Sequence, residues 1–533
     1  MTDAPLSARV VLIGAAAMMM AGCAGTPISV TCAPFRTDYA APVPYGAFAA
    51  AVTNDVNAGL VQQQTVDPME MLRDDFLTDP VLQKKISEQV KGFASLQQSM
   101  DDGSDTGSAG TTVVGGQPVY LLLSGGGQWG AYGAAFLEAL HAQGGTALPR
   151  PKYITGVSTG ALQALFVGAH ASQPTGEWLA KLRVAYSPAD ESEIVDRGGL
   201  LRVVFGGSIA KLAPLRARIE KALCDEASDP SGSGPLAETD CPLIMALASK
   251  EMDHPVVLLG FVEANSGALQ YVEVGRIARG VRRSAKAAPL PMRERQQCLT
   301  AAAMASAAVP VQYQQMRISS IEPGSNSTEL VERTYLDGGV RQSVFAVIAP
   351  TIVKLMAQSE GLPAKTGDNG QVFVIRNGPT DAPVDERSDQ SASAYRAAMR
   401  GYQLIVNQSE VASITALRLD WPMAPLHVTT ADAHGRRFDD PDPQVDLPEG
   451  PNIAGRREWE NGCDKDVIDG NGTRSGGDMM FNPWFMRCLR AYGRHKASLP
   501  WQPEDPPHPT RRDRWINVPP LNVARSPQGQ GDR

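Results

Sequence analysis

Gly156-Val157-Ser158-Thr159-Gly160 sets a serine between two glycines. It lies just after the short apolar run Lys152 to Thr155 and just before the small apolar stretch Leu162 to Ala169. A serine on a sharp strand-to-helix turn exposes its Oγ above the sheet edge, and flanking glycines remove side chains that would clash there. The helix start behind it favours developing negative charge. Ser158 is therefore the candidate nucleophile. Upstream, Ser124-Gly125-Gly126-Gly127 interrupts a second strand-to-helix junction. Three consecutive glycines let backbone N–H groups converge on one point, the arrangement that stabilises the oxyanion of a tetrahedral intermediate. Gly125, Gly126 and Gly127 are the candidate donors.

The serine needs a base. His170, His254, His427, His434, His495 and His508 all follow it, but none lies in a glycine-flanked strand-end context. Asp337-Gly338-Gly339 does, ending the run Leu330 to Leu336. A partly desolvated carboxylate close to a serine hydroxyl has a raised pKa and can accept its proton. A rival pattern is Gly125-x-Gly127-x-x-Gly130, which fits a dinucleotide fingerprint. That fingerprint requires an acidic residue at the end of the next strand, where this chain has Gly156 and the serine turn. A nucleotide cofactor is not expected, and no CxxC or HxxxH spacing points to a metal.

These residues need elements to position them. Val119 to Leu123, Lys152 to Thr155, Pro255 to Glu263, Leu269 to Val274, Leu330 to Leu336 and Gln371 to Ile375 read as strands. Asn265-Ser266-Gly267 forms the turn between the third and fourth. Helices are expected over Trp129 to His141, Leu162 to Ala169, Arg293 to Ala308 and about Ser391 to Leu417. Strands alternating with helices imply an α/β fold with a mainly parallel central sheet covered on both faces. Upstream, helices are expected at Asp67 to Leu72 and Val81 to Leu96, followed by a linker rich in Gly, Ser, Thr and Asp over Asp101 to Gly116. The boundaries implied are a signal segment at 1–22, a leader and linker at 23–116, a catalytic domain at 117–431, and an irregular Pro-rich segment with a mobile tail at 432–533.

The 533 residues allow one large α/β domain with flanking segments. The net charge of −8 and the lack of a long basic run argue against nucleic acid as a partner. Val10 to Met20 is apolar and uncharged but too short to span a bilayer, and Met20-Ala21-Gly22-Cys23 follows. Small residues just before a cysteine resemble a bacterial lipoprotein signal, in which a peptidase cuts before the cysteine and its thiol carries diacylglycerol. The resemblance implies an envelope protein anchored through Cys23. Without an aspartate directly after the cysteine, it implies retention at the outer membrane. Six other cysteines remain, an even number compatible with disulfides in an exported chain. Cys224 with Cys241 and Cys463 with Cys488 are close enough to staple local loops, but connectivity stays open.

Taken together, Ser124-Gly-Gly-Gly-Gln-Trp-Gly-Ala-Tyr-Gly133, Gly156-Val-Ser-Thr-Gly160 and Asp337-Gly-Gly339 resemble the patatin-like phospholipase family in order and approximate spacing. Ala301 to Pro310 is similar to that family's small-residue helix ending in proline. The resemblance covers roughly residues 117–430. It implies a three-layer α/β/α fold and metal-free, cofactor-free hydrolysis of membrane lipid acyl esters by a Ser158–Asp337 dyad, with Gly125 to Gly127 as the oxyanion loop. Two positions depart from it: Trp129 stands where the family often has arginine, and Ser343 where it often has asparagine. The rival in another class is a catalytically idle scaffold that binds lipid or protein. The anchor is tested directly by mass spectrometry of membrane-purified protein, which should find a diacylated N-terminal Cys23. An unmodified mature chain in the soluble fraction would contradict it.

Overall fold

The computed structural model describes residues 28–32, 35, 38–39, 119–144, 150–198, 208–225, 234–249, 254–281, 289–321, 329–346, 370–382, 394–421, 424–442, 458–459, 462–463, 467–468, 474–475, 479–501 and 513–519. The signal segment, Cys23, the helices expected near 67–72 and 81–96, the 101–116 linker and His508 lie outside the described residues.

Among the described residues eleven strands form one sheet. In chain order they are β1 (Ile28–Thr31), β2 (Asp38–Tyr39), β3 (Val119–Leu123), β4 (Tyr153–Val157), β5 (Val256–Glu263), β6 (Leu269–Glu273), β7 (Met316–Ile321), β8 (Leu330–Asp337), β9 (Gln371–Ile375), β10 (Leu426–Thr429) and β11 (Ile516–Val518). Their lateral order is β1-β7-β8-β5-β4-β3-β9-β10-β11, with β6 pairing β5 and β2 pairing β6. The centre, β5-β4-β3-β9-β10, is parallel throughout. Antiparallel strands flank it: β8 against β5 on one side and β11 against β10 on the other.

The central strands are buried along most of their length and mainly apolar, as a sheet covered on both faces demands. Side chains alternate between the faces. Leu121, Leu123, Phe373 and Ile375 join the large core under one helical layer. Tyr120, Leu122, Val372 and Val374 face the other way, against Leu417 and Trp421. The first layer holds α1 (Gly130–Ala142), α2 (Thr159–Ser172), α3 (Glu177–Ala185), α4 (Ala213–Leu223), α5 (Pro242–Leu247), α6 (Val274–Ala278) and α7 (Met292–Ser306). The opposite face is covered by α8 (Ala394–Asp420), which carries Leu417. The fold is α/β with helices on both sides of the sheet. Among the described residues no helix is long and apolar enough to cross a membrane.

The C-terminal segment corrects an expectation. Read as irregular, it instead builds the sixteen-residue helix α9 (Pro483–Ser498) and the edge strand β11. Asn482 caps α9, its side chain accepting from Trp484 N and Phe485 N, and Pro483 occupies the first turn where its missing N–H costs nothing. Helix α9 packs on α1 so closely that a Cβ on Gly493 would stand 2.4 Å from Tyr132 O. The short leader strands β1 and β2 also join the sheet. Among the described residues three disulfides tie the fold: Cys32–Cys298, Cys224–Cys241 and Cys463–Cys488. The last two are the local staples considered above; the first ties β1's end to α7.

Candidate active site

The parallel strands β3 and β4 deliver Ser124 and Ser158 to the same sheet edge, and β8 arrives antiparallel so that Asp337 ends beside them. Asp337 pairs with Phe261 of β5, and its neighbour Gly260 pairs with Val157 of β4, so the register places Asp337 close to the Ser158 turn.

Ser158 sits at that turn with φ 53° and ψ −122°, a backbone region that non-glycine residues rarely occupy. The flanking glycines are required by close backbone approach. A Cβ on Gly156 would lie 2.2 Å from Gly160 O, and one on Gly160 would lie 2.3 Å from Leu123 O. The strain is held by a bond that sequence reasoning missed. Ser158 N–H donates to Ser306 Oγ at 2.8 Å, and the Ser306 hydroxyl donates to Gly260 O at 2.6 Å. Ser306 is the last residue of α7 and fully buried. A hydroxyl at the end of an alanine run was the available signal.

Asp337 is 3% exposed. Its Oδ1 accepts the Gly339 N–H at 2.6 Å, and a Cβ on Gly339 would come within 3.0 Å of that same oxygen. Its Oδ2 is buried without a well-aligned hydrogen-bond partner. Burial pushes the carboxyl up from 3.8 to about 6; the nearby Ser158 hydroxyl and the Gly339 N–H pull the other way without cancelling it. The Ser158 hydroxyl is thus close enough to act on the carboxyl without forming a well-aligned hydrogen bond to Oδ2. Two phenols that sequence reasoning did not identify, Tyr313 and Tyr402, are pushed up first by burial and then by the Asp337 charge. They border the carboxylate from the chain after α7 and from α8.

The glycine loop lies against the same point. A Cβ on Gly125 would touch Ser158 Cβ at 3.4 Å. Gly126 has φ 148°, and a Cβ there would fall 2.0 Å from Asn377 O, so only glycine fits. Gly127 has φ 56° and open space beside it. The three N–H groups differ: Gly125 N–H points to Ser343 O at 3.4 Å, whereas those of Gly126 and Gly127 donate to no loop or cap carbonyl among the described residues. The first loop amide is thus taken up by a backbone carbonyl, that of Ser343, rather than by its side chain. Asn377, just past β9, anchors the loop from below. Its N–H donates to Ser124 Oγ at 2.9 Å and its Nδ2 to Ser124 O at 2.8 Å. Gln163 on α2 completes the network, donating to Gly130 O at 2.8 Å and to Asn377 Oδ1 at 3.0 Å. A lone glutamine inside the apolar run of α2 was its only trace in the sequence.

The described histidines have partners elsewhere. His427 stands on β10, three strands from β4, with Nδ1 2.6 Å from Asn517 Oδ1. His254 bonds Ser172, His495 bonds Asp439 O, and His434 bonds Ala431 O while its ring meets Trp129. His170 packs its ring on His141. Among the described residues no group of three or more His, Cys, Asp or Glu could hold a metal ion.

Fold and site together define an α/β protein with a serine on a strained strand-to-helix turn and a buried carboxylate beside it. Residues 121–350 match the family model described as Patatin-like phospholipase, a stretch that contains Ser158, Asp337 and the glycine loop. The crystal structure of VipD from Legionella pneumophila aligns over 53% of this chain and 53% of its own, at 13% identity and a TM-score of 0.27. The chain thus spans about half the length of that protein. No curated protein matches it.

The buried carboxyl has a consequence for stability. A group held at about 6 in the fold against 3.8 ordinarily binds its proton more tightly when folded. Its protonated form therefore favours folding below pH 4, and that advantage disappears as pH rises through 6. Ionised at neutral pH, Asp337 costs on the order of 3 kcal/mol. Asp337→Asn keeps the oxygen that accepts the Gly339 N–H and removes the charge. Its melting temperature should exceed that of the parent at pH 8 and match it near pH 4. Equal melting temperatures at both pH values would show that the carboxyl is not destabilised by burial.

Proposed function

We propose that the chain is a lipid acyl ester hydrolase working through a Ser158–Asp337 dyad. The observation that carries this reading is the buried Asp337, raised to about 6 and acted on by the Ser158 hydroxyl. The match of residues 121–350 to a phospholipase family supports a lipid ester as the substrate class.

As Ser158 Oγ attacks the ester carbonyl carbon, its proton passes to Asp337 Oδ2, the oxygen without a well-aligned partner. The carbonyl oxygen gains negative charge and meets the Gly126 and Gly127 N–H groups, with the N–H of Thr159 at the start of α2. Collapse of the intermediate breaks the bond to the alcohol oxygen, which takes the proton from Asp337 and departs. Asp337 then removes a proton from water, the hydroxide attacks the acyl-serine, and the acid leaves as Ser158 recovers its proton. A carboxylate at about 6 is ionised at neutral pH yet basic enough to share a proton with a hydroxyl.

A lipid anchor at Cys23 would keep such a site beside its substrate and raise the effective concentration. Strand β1 begins only five residues later, at Ile28. Five extended residues reach roughly 18 Å, so an anchored chain would be held close to the envelope membrane through the same sheet that carries the dyad.

Ester turnover tests the dyad. Ser158→Ala and Asp337→Asn should each remove most activity, and the double variant should cost little more, because the pair acts as a unit. In the parent, kcat/KM should rise with pH through about 6 as Asp337 ionises. His427→Ala should retain substantial activity. An inactive His427→Ala beside an active Asp337→Asn would make a histidine the base and refute the dyad.

A further inference from the structure

We propose that the C-terminal helix α9, lying far beyond the family-matched stretch, positions the backbone donors of the oxyanion site. Gln128 and Asn482 form the principal link, supported by Trp129 and Phe485. The proposal rests on the hydrolase reading and adds to it the origin of the loop's rigidity.

The glycine loop has backbone freedom by composition, and freedom is costly where N–H groups must converge on a developing charge. Asn377 and Gln163 hold its start and its underside. Its far end, the short 3-10 turn Gly127–Trp129, meets the ring of His434 and the start of α9 through its side chains. Gln128 is 6% exposed, and its Oε1 accepts the Asn482 N–H at 3.1 Å. The Trp129 ring meets Phe485 edge-on at 5.0 Å and His434 at 4.8 Å. Both residues share one short turn with Gly127, so holding their side chains restrains the backbone from which its N–H projects.

The same helix reaches the nucleophile side of the site. Arg490 Nη1 donates to Tyr186 O at 2.6 Å, and the Tyr186 hydroxyl donates to Thr159 O at 2.9 Å. Thr159 directly follows Ser158. One element therefore braces both the loop and the start of α2, and that element is fixed in turn by the Cys463–Cys488 disulfide and by Gly493 lying against α1. Trp129 stands where the resembled family often carries arginine. Here that position holds a flat apolar ring that the C-terminal helix can grip. Gln128, Trp129, Asn482 and Phe485 are positioning residues; none is required to touch substrate.

A double-mutant cycle separates positioning from general packing. Steady-state hydrolysis of a short-chain p-nitrophenyl ester is measured for the full chain, Gln128→Leu, Gly126→Ala and the double variant, with Ser158→Ala in parallel. Gln128→Leu keeps the volume and removes the acceptor. It should lower kcat about tenfold with KM within about twofold, because a mis-set donor is felt in the transition state. In the Gly126→Ala background it should cost less than about twofold more, since the loop it positions is already displaced. Phe485→Leu takes its place in the same cycle if Gln128→Leu does not fold. Unchanged kcat, a loss confined to KM, or losses that multiply in the double variant would overturn the brace while leaving the hydrolase reading intact. Turnover that survives Ser158→Ala would overturn both.

Discussion

A carboxylate taken out of water at the end of a β-strand is the constraint around which the site is arranged. Asp337 has one oxygen satisfied by its own turn and the other left without a well-aligned partner. Such a group persists only when the surroundings over-determine its place. Here β8 enters antiparallel beside β5 and stops at the level of the serine turn, so that the strand's termination and the carboxylate's burial are the same event. The strained backbone of Ser158 is a second cost in the same small volume. It is met by Ser306, which satisfies the Ser158 amide and ties it to β5. Stability is given up at both residues of the proposed dyad, as a trade between stability and reactivity would require.

The glycines follow from the same crowding, for differing reasons. Gly156 and Gly160 are demanded by backbone-to-backbone approach between β4, α2 and the end of β3. Gly126 is demanded by its φ and by Asn377 together, while Gly127 needs only its φ. A pattern that looks uniform in the sequence is therefore a set of separate requirements, and substitution at each should fail in its own way.

Much of this was legible beforehand. The strands β3, β4, β5 and β9 announced themselves as short, largely apolar runs and β8 as a run closed by Asp-Gly-Gly, and the glycine loop, Ser158 and Asp337 stood where β3, β4 and β8 ended. What escaped depended on contacts between distant segments. Nothing local pairs Cys32 with Cys298, or makes Ser306 the acceptor for Ser158. Helix α9 escaped for another reason. Its start was signalled by Asn482 and Pro483, but Arg490, Arg494 and Lys496 interrupt its apolar face, and all three are buried. Arg494 is paired with Asp440, so a charge pattern that reads as solvent-facing belongs to the interior. The surrounding Pro, Gly and Asp residues then hid a structural element behind the composition of its neighbours.

The central claim is that Ser158 is a nucleophile activated by Asp337, and covalent labelling addresses it without assuming a substrate. An alkyl fluorophosphonate should modify the folded chain once, and peptide mass spectrometry should place the adduct on Ser158 Oγ. The labelling rate should climb with pH through about 6, where Asp337 ionises. In Asp337→Asn it should fall by about 10²-fold or more, the scale of losing a general base. An adduct elsewhere, no adduct at all, or labelling of Asp337→Asn at the parent's rate would contradict the account.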